Sequence, residues 1–70
     1  MVHFGAVVRY FDDRGYGFIK GQIDGEYYFV HVSEIQDGTL YRGCQVAFSP
    51  DINKKNGKKI ATNVIVVESN

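Results

Sequence analysis

Two short runs hold the residues whose types and spacing could do chemistry: Arg14-Gly15-Tyr16-Gly17-Phe18-Ile19-Lys20 and Tyr27-Tyr28-Phe29-Val30-His31-Val32. In a strand, successive side chains point to opposite faces. Tyr16, Phe18 and Lys20 then share one face of the first run, with Gly17 and Ile19 opposite. Tyr27, Phe29 and His31 share one face of the second, with Tyr28, Val30 and Val32 opposite. Asp24-Gly25 between them is a hairpin signal that makes the runs neighbours. With Ile19, Val30 and Val32 turned inward, Tyr16, Phe18, Phe29 and His31 stand together on the outer face beside Lys20. Flat rings side by side on a wet face make a stacking platform. Every unpaired nucleobase has a π-face, and one stack is worth about 1–3 kcal/mol. Gly15 and Gly17 lack a Cβ, which would let a base approach the rings closely. Arg9, Lys20 and the loop Lys54-Lys55-Asn56-Gly57-Lys58-Lys59 could meet phosphates around the platform, and Lys58 is the loop lysine assigned to the site.

The elements that must hold this face are all short and β-like, and no useful helical period appears. The turn residues divide the chain into strands at about 3–11, 16–20, 26–32, 45–48 and 59–67. Asp12 to Gly15, Asp24-Gly25, Asp37-Gly38 and Asn56-Gly57 form the turns. Ser33-Glu34-Ile35 could make one helical turn capped by Ser33, and Pro50 marks a strand end or an edge. The fold class expected is all-β: a five-stranded antiparallel barrel, which hides its sheet edges. Val7, Val8, Ile19, Val30, Ile35 and Val46 are core candidates. Ile60, Asn63, Val64, Ile65, Val66 and Val67 show little alternation, as a strand that closes a small barrel can be covered on both faces.

Composition narrows the function classes. The chain has 70 residues, which is one small domain spanning 1–70 and too little for a large catalytic cleft between lobes. Lys and Arg number 8 against 8 Asp and Glu, so steering by net charge is not expected and local patches must act instead. The loop at 54–59 holds four of those eight basic residues. Eight of the ten aromatic residues fall within the first 29 positions, too many for so small a chain to bury. Cys44 is the one cysteine, so no internal disulfide forms and a reducing, cytoplasmic setting is expected. No apolar run is long enough to cross a bilayer, and no signal-peptide pattern opens the chain, so no membrane partner is expected.

The motifs now support a resemblance. Arg14-Gly15-Tyr16-Gly17-Phe18-Ile19 looks like a ribonucleoprotein motif. The RNA-recognition-motif domain also carries that pattern, but it needs two helices and places its second motif before the first. The cold-shock domain is the better match, through Gly15-Tyr16-Gly17-Phe18-Ile19 and Phe29-Val30-His31-Val32-Ser33. Arg9-Tyr10-Phe11-Asp12 and Asn63-Val64 resemble that family's first and last strands, so the likeness covers nearly the whole chain in order. The resemblance implies a Greek-key barrel of the oligonucleotide/oligosaccharide-binding (OB) type. It also implies single-stranded RNA and DNA as partners, no cofactor, and a role as RNA chaperone or cold-shock regulator of transcription and translation. The family's stacking positions carry over to Tyr10, Phe11, Tyr16, Phe18, Phe29 and His31, and its first-strand lysine to Arg9. Three departures stand out. Tyr10 replaces a Trp, Val32 replaces an aromatic, and the loop at 36–40 is short and lacks its ring. A smaller footprint is expected, with Tyr27 sharing the stacking face by parity. A monomer is expected, with strand exchange through the short loop as the alternative.

Plainer readings compete. The rings could instead dock a peptide or a second protomer, which makes a protein-interaction or dimerisation module the second hypothesis. His3 and His31 lack partners at metal-ligand spacing. Asp12-Asp13 suits turn chemistry better than acid–base catalysis. Gly15-Tyr16-Gly17 is not a phosphate loop, because no helix follows it. Nothing forms a nucleophile–base pair or a cofactor fingerprint, so no enzyme is expected.

Overall fold

The computed structural model describes residues 2–68. The β-branched and aromatic runs form β1 (His3–Phe11), β2 (Tyr16–Gly21) and β3 (Tyr27–His31). A one-turn 3-10 helix (Val32–Glu34) leads into a three-residue strand, β4 (Ile35–Asp37), and then β5 (Gln45–Ile52) and β6 (Lys59–Glu68) follow. The sheet order is β3-β2-β1-β5-β6-β4, and an added β3–β6 pairing closes five strands into a barrel. The long pairings are antiparallel, as expected. The closure is not: Phe29 pairs Ile60 in parallel, and β4 also runs parallel to β6. Four successive antiparallel pairings, β3–β2, β2–β1, β1–β5 and β5–β6, leave the two ends of the five-strand series running the same way.

The inward faces of all five barrel strands meet in one core. Val7, Ile19, Val30, Val46, Phe48 and Val64 are its most deeply buried side chains. Leu40 and Cys44 plug one part of it from the loop before β5. That loop is tied to β1 by the Gly43 N–H donating to the Val7 carbonyl at 2.7 Å and the Val7 N–H donating to the Cys44 carbonyl at 2.9 Å. Pro50 does not end its strand. It pairs Ala61, beyond the stretch where β1 pairs β5, so β5 is an edge there and tolerates a residue with no N–H.

Three core assignments from alternation are corrected. Val8 is an outer residue, because Val7 pairs Ile19 while Arg9 pairs Phe18, which leaves Val8 as the extra residue of a bulge. Val32 is 49% exposed, because β3 ends at His31 and the helical turn breaks the two-residue period. β6 is not covered on both sides: Val64 is fully buried while Ile65 is 41% exposed. Its inward positions, Ala61 and Val64, lie three residues apart because the register with β5 shifts between them.

Asn63 sits at that shift with φ 50°, in the left-handed region. Among residues with a Cβ, asparagine is one of the few that enters this region readily. Asn63→Val is therefore expected to destabilise the fold by about 1–2 kcal/mol, whereas Asn63→Gly is expected to be near neutral. Urea denaturation of the two variants checks the ordering, and equal stability would contradict it.

Below the β2–β3 hairpin, the buried Tyr28 packs its ring on Phe48 at 4.9 Å. Its hydroxyl donates to Asp24 Oδ2 at 2.6 Å. That bond, then burial, pushes the Tyr28 hydroxyl up to about 12. The same bond, then the Glu26 N–H, pulls Asp24 below its usual value. A raised tyrosine contributes stability below its unfolded value, and that stability is lost as pH rises from about 10 towards 12. A lowered carboxylate contributes above its unfolded value, and that stability is lost as acid carries the pH through the folded value. Tyr28→Phe is expected to lower the melting temperature at neutral pH. It should also flatten the alkaline loss and reduce the acid loss, as read by thermal melts across pH. An unchanged alkaline limb would show that the pair is not coupled to folding.

Candidate nucleic-acid interface

The outer face of β1, β2 and β3 gathers most of the residues singled out by type and spacing. The bulge at Val8 decides this for β1. Without it, Arg9 and Phe11 would sit on the same side as Val7, which is inside. With it, Arg9 stands opposite Phe18 and Phe11 opposite Tyr16. On β3, Phe29 is paired with Phe18, His31 with Tyr16 and Tyr27 with Lys20. The face is thus a grid of three rows: Phe11-Tyr16-His31, Arg9-Phe18-Phe29 and Ala6-Lys20-Tyr27.

Phe11, Tyr16, Phe18 and Phe29 are half-buried, whereas His31 and Tyr27, the latter at 59%, are exposed. They do not form a flat surface. Tyr16 meets Phe18 at 88° and 6.3 Å, and Phe18 meets Phe29 at 71° and 5.9 Å. Phe11 and Tyr16 are tilted by 52° at 5.3 Å, and Tyr16 and Phe29 by 30° at 5.5 Å. Edge-to-face packing places the positive ring edge on the negative ring face, which a coplanar arrangement would not achieve. The consequence is a corrugated surface, on which a planar ligand meets individual ring faces rather than one continuous plane.

Cations border the grid. The Arg9 guanidinium lies 5.8 Å from the Phe11 ring centre. Lys20 Nζ lies 5.8 Å from that of Tyr27, within the range of a cation–π contact. Val8, Arg9, Phe11, Phe18 and Tyr27 line one depression on this face. A second depression is lined by Phe18 and Phe29 together with Asn53, Asn56, Lys58 and Ile60. The tip that carries Lys58 is held by its own asparagines. Asn53 Oδ1 accepts from the Lys55 N–H at 2.8 Å, and Asn56 Oδ1 from the Lys58 N–H at 2.9 Å. Lys59 points elsewhere, 3.5 Å from Glu26. Asn53, Asn56, Ile60 and Val8 were not anticipated at the site. The β3–β6 closure brings the loop there, and no local pattern announces it.

Tyr10 is placed apart from the other assigned residues. It pairs Gly17 rather than a ring, packs against the core, and lines a separate cavity with Asp12, Val32, Ile35 and Thr39. Burial, then the Asp12 charge, raises its hydroxyl above the usual value. The two glycines have duties other than making room for a base. A Cβ on Gly17 would strike the Arg9 carbonyl oxygen and come within 2.7 Å of Tyr10 Cδ1. Gly17 therefore faces inward, and its bare backbone lets β1 and β2 close around Tyr10. Gly15 has φ 75° and lies in the β1–β2 turn, where its N–H donates to the Phe11 carbonyl at 2.8 Å.

His31, not Ser33, caps the short helix: its ring accepts from the Ser33 N–H. Among the described residues no group of three or more His, Cys, Asp or Glu could hold a metal ion. No helix among them is long and apolar enough to cross a membrane.

A closed β-barrel with rings and cations on one open face is an OB-type architecture. The 'Cold-shock' DNA-binding domain model matches residues 4–67, and the chain belongs to that family, which consists of nucleic-acid-binding domains rather than enzymes. RNA-binding protein Unr of Drosophila melanogaster is 40% identical over 55 residues, covering 74% of this chain and 5% of Unr. The chain thus spans a small fraction of that relative. A solved structure described as drosophila Unr CSD456 aligns over 100% of this chain and 28% of its own, with a TM-score of 0.80 and 17% identity, a likeness of fold.

Proposed function

We propose that this domain binds single-stranded RNA or DNA with little regard to sequence. Bases stack on Phe11, Tyr16, Phe18, Phe29 and His31, and phosphates meet Arg9, Lys20 and Lys58. Tyr27 extends the stacking face beside Lys20. The observation that carries this reading is the cluster of four mutually packed rings on an outer face of the barrel. Such rings contribute little to the core yet remain open to planar ligands. The activity that follows is that of an RNA chaperone, which holds weakly paired segments open by stacking their bases. A regulatory role in transcription or translation would follow from the same binding. Tyr10 and Asp12 offer a separate contact at the edge of the face, bordered by aliphatic Val32 and Ile35. That suits a short footprint. A monomer is the proposed state, since the buried Leu40 anchors the short loop. A reducing, cytoplasmic compartment suits Cys44, a free and buried thiol.

Titration with a short oligouridine tests the reading through tyrosine fluorescence. Saturable quenching at low salt is expected, and none would remove the proposal. With about two to four phosphates neutralised, log affinity should fall shallowly with log salt. A steep slope would transfer the main role to Lys54 and Lys55 at the loop tip.

A further inference from the structure

His31 and Ser33 are joined by two contacts that ring stacking does not require. The Ser33 backbone N–H donates to His31 Nδ1 at 3.2 Å, and Ser33 Oγ lies 2.9 Å from the same nitrogen. A backbone N–H can only donate, so Nδ1 must present its lone pair. In a neutral imidazole one nitrogen carries the proton and the other accepts. The proton therefore sits on Nε2, across the ring from the held nitrogen. Neither hydrogen bond of His31 engages Nε2. The side chain is exposed and stands on the outer face opposite Tyr16. An N–H donor is thereby left open at the end of the ring cluster.

We infer that Ser33 is a positioning residue: its backbone N–H and hydroxyl together hold His31 as the Nε2–H tautomer. His31 then offers a hydrogen-bond donor to an oxygen acceptor of the bound strand. The inference rests on the single-strand reading above and deepens it by assigning the acceptor chemistry. That acceptor is either a base carbonyl or a phosphate oxygen. The donor favours no amino group, so a base edge that presents only N–H groups gains nothing from this contact.

The tautomer is read without ligand, by long-range proton–nitrogen NMR of the imidazoles in the full chain at a pH where they are neutral. His3→Gln assigns the two histidines. A single Nε2–H pattern for His31 is expected. Ser33→Ala keeps the backbone N–H and should keep the pattern, whereas Ser33→Pro, which has neither the N–H nor the hydroxyl, should give a tautomer mixture. An Nδ1–H pattern in the unmodified chain, or an unchanged single pattern in Ser33→Pro, overturns the inference.

The donor role is read with hexauridine. His31→Phe, which keeps a ring but loses the donor, should weaken binding by about three- to tenfold, the range of one hydrogen bond. Full affinity in His31→Phe overturns the donor. Two ligand series separate the sources: hexauridines with one abasic residue, and hexauridines with one neutral methylphosphonate linkage. The effect of His31→Phe should vanish in the series that has lost the acceptor, and its persistence throughout both overturns the contact. Absence of binding by the unmodified chain would overturn the single-strand reading itself. That failure is distinguishable, since the tautomer is measured with no ligand present.

Discussion

Phe29→Ala is expected to weaken binding of a short oligouridine by about 5- to 150-fold, the equivalent of about 1–3 kcal/mol for one lost stack. Phe29 is the choice because it contacts both Tyr16 and Phe18 across the β2–β3 pairing. Its removal takes away one ring face and loosens two others. The ring is half-buried and on the outer side of the strand, so little of the core depends on it. The melting temperature should fall modestly while the cooperative transition is kept. Binding by fluorescence titration and stability by thermal melting must be read on the same sample. A collapsed melt with residual affinity unchanged would mean that the ring serves folding and not the ligand.

The same chemical change at Phe48 should have the opposite outcome. Phe48 is 1% exposed. Its ring meets Tyr28 at 4.9 Å and His3 at 6.0 Å. Truncating a buried Phe to Ala typically costs about 3–5 kcal/mol, because the cavity closes only in part. A chain of this length has a total stability of about 4–10 kcal/mol. Phe48→Ala is therefore expected to populate the unfolded state heavily at room temperature, as read by urea denaturation and circular dichroism. Phe48→Leu should recover most of the loss by refilling the volume. A near-native denaturation midpoint for Phe48→Ala would place the core elsewhere. Together the two alanine variants separate an aromatic residue that serves the surface from one that serves the fold.

Much of the candidate site is legible in the sequence. Tyr16, Phe18, Phe29 and His31 lie on one face because a strand has a period of two, and Asp24-Gly25 forces the two strands together. Those are local facts, and local facts survive folding. The buried Ile19 and Val30 are the same period seen from the other side. The strand boundaries erred where a local rule met a non-local partner: β5 runs past Pro50 because only one of its sides is paired there, and β3 stops at His31 because that ring caps the next turn.

Residue order dictates an all-β chain, the two facing strands, and the chemical character of the outer face. Tertiary structure alone decided which way β1 turns its side chains. A one-residue bulge at Val8 inverts parity without any distinctive residue to mark it, and so sends Arg9 and Phe11 to the rings and Tyr10 away from them. Tertiary structure also decided that Lys58 stands beside Phe18 and Phe29, through a parallel closure between strands about thirty residues apart. It decided the tilt of the rings as well. Alternation states which side a ring is on, but the angle at which it stands follows from the quadrupoles of neighbours that only the folded sheet brings together.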